Sequence, residues 1–139
     1  MRINYLKAIG AGVVGTLAMT AVGVWVAPMM GMPPMNPADL LASKMGGMLS
    51  LGWVGHLMIG SIFALIYASF VASRLPGPPA IRGAVFSLAP WLMAQMIVMP
   101  MMGMSLFSGS VMMAGGSLIG HLIYGLVIGG LIGDPALQK

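Results

Sequence analysis

The sequence predicts an all-α membrane protein: a bundle of four transmembrane helices built as two tandem parallel helix hairpins, with both termini in the cytoplasm. Three observations carry that expectation. Of the 139 residues, 59% are hydrophobic and only 6% are charged, whereas a soluble domain carries about 25% charged residues to clothe its surface. The apolar residues fall into four continuous runs free of Asp, Glu, Lys and Arg. The six basic residues are distributed unequally between the ends of those runs.

The runs span residues 8–28, 51–72, 84–102 and 111–132, each near the ~20 helical residues that cross a ~30 Å hydrocarbon core. Turn formers separate them: Pro33, Pro34, Asn36 and Pro37, then Pro76 through Pro79, then Gly103 to Gly109. Closed barrels also satisfy their backbone in lipid, but their strands show short alternating segments rather than continuous apolar runs. The first run has the basic start of a signal peptide, yet it is longer than a usual h-region and reads as a retained span. By length the chain is a single domain.

Orientation follows from the cations. With the N-terminus inside, Arg2, Lys7, Arg74, Arg82 and Lys139 are cytoplasmic and Lys44 alone is outside, as the positive-inside rule requires. The net charge of +4 is scattered singly at segment ends, so it forms no nucleic-acid footprint. Cysteine is absent, which excludes disulfides, zinc–thiolate sites and thiol catalysis.

Two motifs recur in the same order. Pro-Met-Met-Gly-Met stands at 28–32 and 100–104, closing the odd-numbered spans, and Gly-His-Leu-x-x-Gly stands at 55–60 and 120–125, early in the even-numbered ones. We read a duplicated helix hairpin related by an axis along the membrane normal; chance repetition in so biased a composition is the alternative. Either way, both histidines and both Met-rich segments are expected toward the outer face.

Helices in lipid associate through small residues that let backbones approach. Gly60, Ala64 and Ala68 make such a ridge on the second span, Gly116, Gly120, Gly125 and Gly129 on the fourth, and Gly15, with Ala11, on the first. His56 shares a face with Gly60, and His121 with Gly125, which places the imidazoles in helix–helix contacts rather than in lipid.

The histidines are the leading candidates for chemistry. Facing each other across the repeat axis they could ligate copper or a haem iron, or relay protons. The plainer reading is that each hydrogen-bonds a neighbour such as Ser117 or Tyr124. Seventeen methionines add soft thioethers of the kind that select Cu(I), with Met29, Met32, Met101 and Met104 as candidate ligands beside His56 and His121. Methionine is equally an adaptable apolar filler and contact surface. Gln95 is the one amide within a span and a candidate interhelical cross-link. Pro90 is expected to kink the third span and free a carbonyl near Phe86. Trp25 and Trp53 fit an interfacial aromatic belt.

What is missing narrows function further. Asp39 and Asp134 are the only carboxylates, and neither lies in a span, so no acid is available for an ion-coupled transporter or a hydrolase. An enzyme is not expected.

Several short segments taken together extend this reading. They are Gly52-Trp53-Val54-Gly55-His56, Arg74-Leu75-Pro76-Gly77, Arg82-Gly83 with Phe86, Met99-Pro100-Met101 through Gly103 and Phe107, and His121-Leu122-Ile123-Tyr124-Gly125. In this order, over the last two-thirds of the chain, they resemble a family of small bacterial four-helix membrane proteins catalogued as a domain of unknown function. The resemblance implies a fold and a multi-pass location in a bacterial inner or intracytoplasmic membrane, and no activity. Three functions are thus left open: an accessory subunit packed in lipid against other subunits of a respiratory, photosynthetic or metal-oxidase complex; a Cu(I)- or haem-binding protein; or a small transporter or channel.

Overall fold

The computed structural model describes residues 3–134; the predicted cytoplasmic residues Arg2 and Lys139 lie outside the described residues. Four helices are long and apolar enough to cross a membrane: α1 (Tyr5–Met29), α3 (Leu49–Val71), α4 (Pro79–Met101) and α5 (Val111–Ile132). Between the first two lies a short helix, α2 (Pro37–Lys44), and between the last two a single tight turn, Leu106–Gly109. No strand occurs among the described residues.

Local chemistry sets the ends. Asn4 caps α1 by accepting from the Lys7 N–H at 2.9 Å, and Ser110 caps α5 by accepting from Met113 N–H. The third span starts at Pro79 rather than at 84. A proline at the first helical position wastes no hydrogen bond, and Arg82 is thereby drawn into the first turn. The segment read as a turn at Asn36-Pro37 is instead the start of α2. Asn36 accepts from the Ala38 N–H, Pro37 opens the helix, and Asp39 and Lys44 sit at the ends that suit their charges.

Both prolines of the repeated pentapeptide follow a widened turn. In α1 the Ala27 N–H reaches back five residues to Val22 O, and in α4 the Met99 N–H reaches Ala94 O. A proline one residue later has no N–H and crowds the carbonyl four residues back, and an i→i+5 turn relieves that conflict. Both helices then close identically: Gly31 N–H on Pro28 O and Met32 N–H on Ala27 O, matched by Gly103 N–H on Pro100 O and Met104 N–H on Met99 O. Gly31 and Gly103 take φ of 80° and 84°, as this helix stop requires. Pro90 does not interrupt α4, which stays α-helical through Met93; the irregular turn belongs to Pro100.

Packing is by close backbone approach. α1 lies between α3 and α5, and α4 packs along α5. A Cβ placed at Gly12 would stand 2.7 Å from Ser61 Cα, and one at Gly15 would stand 2.9 Å from the Tyr124 ring. A Cβ at Gly60 would strike Thr16 Oγ1, one at Gly125 would lie 2.7 Å from Ser87 Oγ, and one at Gly129 would strike Pro79 O. The buried core fills the end of the bundle that carries the described termini: Ala8, Ala11, Ala64, Tyr67, Ala68, Ala72, Tyr124, Ile128 and Ile132. There Arg82 meets Asp134 at 3.5 Å and donates to Ala72 O at 2.9 Å, while Lys7 donates to Ile132 O. Arg74 turns back onto Phe70 O. We call this the terminal end and the opposite one the distal end.

Candidate ligand cavity

The helices do not close on one another equally. α1 and α5 pack along their lengths, but α3 and α4 meet mainly where α4 passes residues 67–71. Phe86 of α4 stacks there against Tyr67 at 5.4 Å and Phe63 at 6.4 Å between ring centroids. Toward the distal end the two helices part, and a cavity of about 180 Å³ opens between all four spans. Ile59 and Met93 both line it and are 41% and 40% exposed, so the gap between α3 and α4 faces the lipid.

The roof follows from Pro28. Because the widened turn takes Ala27 N–H to Val22 O and Pro28 has no N–H, Gly23 O is left without a helical partner. It accepts instead from Met35 N–H at 3.1 Å. That bond lays the 30–36 linker across the cavity, where Met32, Met35, Leu40 and Leu41 cover it. Met32 is buried with its sulfur against Gly116; a Cβ at Gly116 would stand 2.6 Å from Sδ.

Both histidines line this space. His56, 8% exposed, lies 3.1 Å through Nε2 from Thr20 Oγ1. The Thr20 hydroxyl hydrogen is on Thr16 O at 2.8 Å, so His56 Nε2–H is the donor and Nδ1 keeps its lone pair. His121 Nδ1 lies 2.8 Å from Ser117 O. A carbonyl can only accept, so Nδ1 carries the hydrogen and Nε2 keeps its lone pair. Neither free nitrogen has a hydrogen-bond partner among the described residues. Neither is walled in: the buried side-chain nitrogen without a partner there is Arg82 Nε, at the terminal end.

A polar relay ends on Ser117, the residue whose backbone carbonyl meets His121. Ser108 donates to Gln95 Oε1 at 2.8 Å, and Gln95 Nε2 donates to Ser117 Oγ at 3.1 Å. Ser108 reaches Gln95 because Phe107 and Ser108 adopt φ of 53° and 59°, left-handed conformations that cost non-glycine residues roughly 1–2 kcal/mol each. The Ser108 hydrogen bond to buried Gln95 and the packing of Phe107 on Trp91, with centroids 6.0 Å apart, hold the turn in that shape. Trp91 itself donates to Ala114 O at 3.1 Å and is a packing aromatic.

The methionine candidates separate. Met32 shares the cavity with the histidines, whereas Met29 and Met101 are 85% and 76% exposed and Met104 does not line it. The thioethers that do face the cavity are Met19, Met35, Met93, Met99 and Met113 beside Met32. Helical phase decides this, and distance from the outer face alone could not. Among the described residues no cluster of three His, Cys, Asp or Glu side chains is close enough to hold a metal ion. A cavity of about 180 Å³ is below the ~300 Å³ of clefts that enclose drug-sized ligands, so a haem macrocycle does not fit as the helices stand. Of the small-residue candidates, Gly125 and Gly129 lie at close backbone contacts, Gly15 and Gly60 at close contacts with the side chains of Tyr124 and Thr16, Ala64 and Ala68 are buried in the core, and Gly60, Gly116 and Gly120 border the cavity.

The fold and the cavity define a multi-pass membrane protein with a lipid-facing internal pocket. The chain belongs to DUF6789, a family of unknown function, whose model matches residues 3–136. Neither a curated protein nor a solved structure matches it.

Proposed function

We propose that this protein is a non-catalytic accessory protein of the membrane that holds a small, largely apolar guest between its helices. The observation that carries the reading is the cavity itself, largely apolar, with two oriented imidazoles beside Thr16, Gln95, Ser117 and Tyr124 as its polar groups, and open to lipid between Ile59 and Met93. Ligand sites between the helices of bundles have this composition, apolar walls with a few placed polar groups. The test is native mass spectrometry of the protein extracted gently from membranes. A 1:1 small-molecule adduct is expected, and it should disappear in Ala94→Phe, which fills the space. An apo mass for the wild-type chain across several membrane sources would sink the reading.

The positive-inside rule supports an N-in, C-in orientation, since Lys7, Arg74 and Arg82 share the terminal end and Lys44 the distal one. The matched turns before Pro28 and Pro100 support the duplicated hairpin. The duplication is imperfect in a useful way: a twofold axis would make the α1–α5 and α3–α4 contacts equivalent, and their inequality is what opens the cavity. A bacterial inner membrane is the location that suits this reading.

A partnership with other membrane subunits is favoured by a second observation. Trp25, Met29, Met30, Met101, Val111 and Met112 are all strongly exposed at the distal rim. Cu(I) held by His56, His121 and Met32 is the competing reading of the cavity. For a transporter or channel, the Phe63–Tyr67–Phe86 layer and the alanine core beneath it argue for a dead end.

A further inference from the structure

The chemistry of the cavity wall says more about the guest than its size does. Each imidazole uses its N–H on its own scaffold, His56 on Thr20 Oγ1 and His121 on Ser117 O. Both side chains line the cavity, and the nitrogen each leaves unbonded is an acceptor. Gln95 accepts from Ser108 and spends one of its two N–H groups on Ser117. In hydrocarbon no water is at hand to satisfy a lone acceptor, and leaving one bare is unfavourable. A guest with only acceptors, such as a ketone, ester or ether, leaves both nitrogens bare. A guest with hydroxyl groups satisfies them.

Shape narrows the class. A cavity of about 180 Å³ is near the ~150 Å³ apolar cavity that accommodates a benzene ring. Its walls carry Phe63 and the thioethers of Met19, Met32, Met93 and Met113, and sulfur packs favourably against aromatic rings. The gap between Ile59 and Met93 gives a hydrocarbon tail a way into the bilayer.

We infer that the guest is an aromatic alcohol, a phenol or hydroquinone ring on an apolar tail, whose O–H groups donate to His56 Nδ1 and His121 Nε2. The inference rests on the proposed guest-binding role and specifies its chemistry. Monophenols and hydroquinones share the recognition; a hydroquinone has a hydroxyl for each histidine, a monophenol for one.

The test uses the full chain in lipid nanodiscs with three probes of equal tail length: a 4-alkylphenol, the matching alkylhydroquinone kept reduced under argon, and the 4-alkylanisole, in which a methyl replaces the hydroxyl hydrogen. Binding is read from Trp53 fluorescence, since that ring lies 6.3 Å from His56. The phenol is expected to bind at least about tenfold tighter than the anisole, the worth of one hydrogen bond to a desolvated acceptor. Tighter binding of the hydroquinone than of the phenol assigns both histidines; equal binding of the two overturns the role of one. In both His56→Leu and His121→Leu the advantage of the hydroquinone over the anisole should shrink while anisole affinity persists, which also shows that the variants fold. Equal affinity for phenol and anisole in the wild-type chain overturns the inference but leaves guest binding standing. Binding of none of the three overturns both.

Discussion

The Tyr124 hydroxyl donates to the backbone carbonyl of Gly60 at 2.6 Å, joining α5 to α3 across α1. Both residues are buried; Gly12 lets the backbones of α1 and α3 approach, and Gly15 leaves room for the Tyr124 ring. A tyrosine in a lipid-embedded core needs a partner for its hydroxyl, and the absence of a side chain at Gly60 exposes one.

Removing that hydroxyl should therefore be felt. Tyr124→Phe is expected to lose about 0.6–1 kcal/mol, the usual worth of an interhelical hydrogen bond in a membrane. Gly60→Ala should cost more, because the new methyl meets Thr16. Reversible unfolding in mixed micelles measures both, and a Tyr124→Phe variant as stable as wild type would remove the bond from the energetic account.

The α4–α5 seam gives a sharper contrast. Gly83→Ala and Gly125→Ala place a methyl against the facing backbone and should each cost about 1–3 kcal/mol, as overpacking does. Gly115→Ala and Gly130→Ala meet nothing within 4 Å and should stay within about 0.5 kcal/mol of wild type. Thermal denaturation of the four variants side by side checks this; a uniform response would mean that backbone approach is not what holds the seam.

The left-handed turn at Phe107–Ser108 depends on Gln95. Gln95→Leu strands the Ser108 and Ser117 hydroxyls, with an expected loss of about 1–3 kcal/mol. It should also raise hydrogen exchange at 106–110, while exchange in the terminal half of α5 stays unchanged. Unaltered exchange in that turn would show that it holds its strained shape without the amide.

Orientation is open to direct measurement because the chain has no cysteine. In intact cells an impermeant maleimide should label Lys44→Cys and spare Arg74→Cys until the membrane is permeabilised. Labelling of both from one side would mean an even number of crossings between them, contradicting the single crossing by α3 and the four-span topology with it.

Much of the architecture was legible because it depends on local sums. Span existence needs only enough apolar residues in succession, and the helices appear where those sums are highest. The signals for α2 were present in Asn36, Pro37, Asp39 and Lys44, but the same Asn-Pro pair marks turns, and eight residues are too few to reveal a period. The small-residue ridges could be read from four-residue spacing. Which methionines face inward could not, because two widened turns shift the helical phase near the distal end.

By itself the sequence determined that four segments dissolve in lipid, which small-residue faces can meet, and that two imidazoles lie within reach of them. Hydrophobicity and spacing are properties of a single segment, so one segment suffices to read them. Only the tertiary structure decided that α1 and α5 close while α3 and α4 part, that Ser108 reaches Gln95 and Tyr124 reaches Gly60, and that His56 and His121 border one cavity. Those relationships arise from how unequal helix contacts share space, and no stretch of chain carries that information alone.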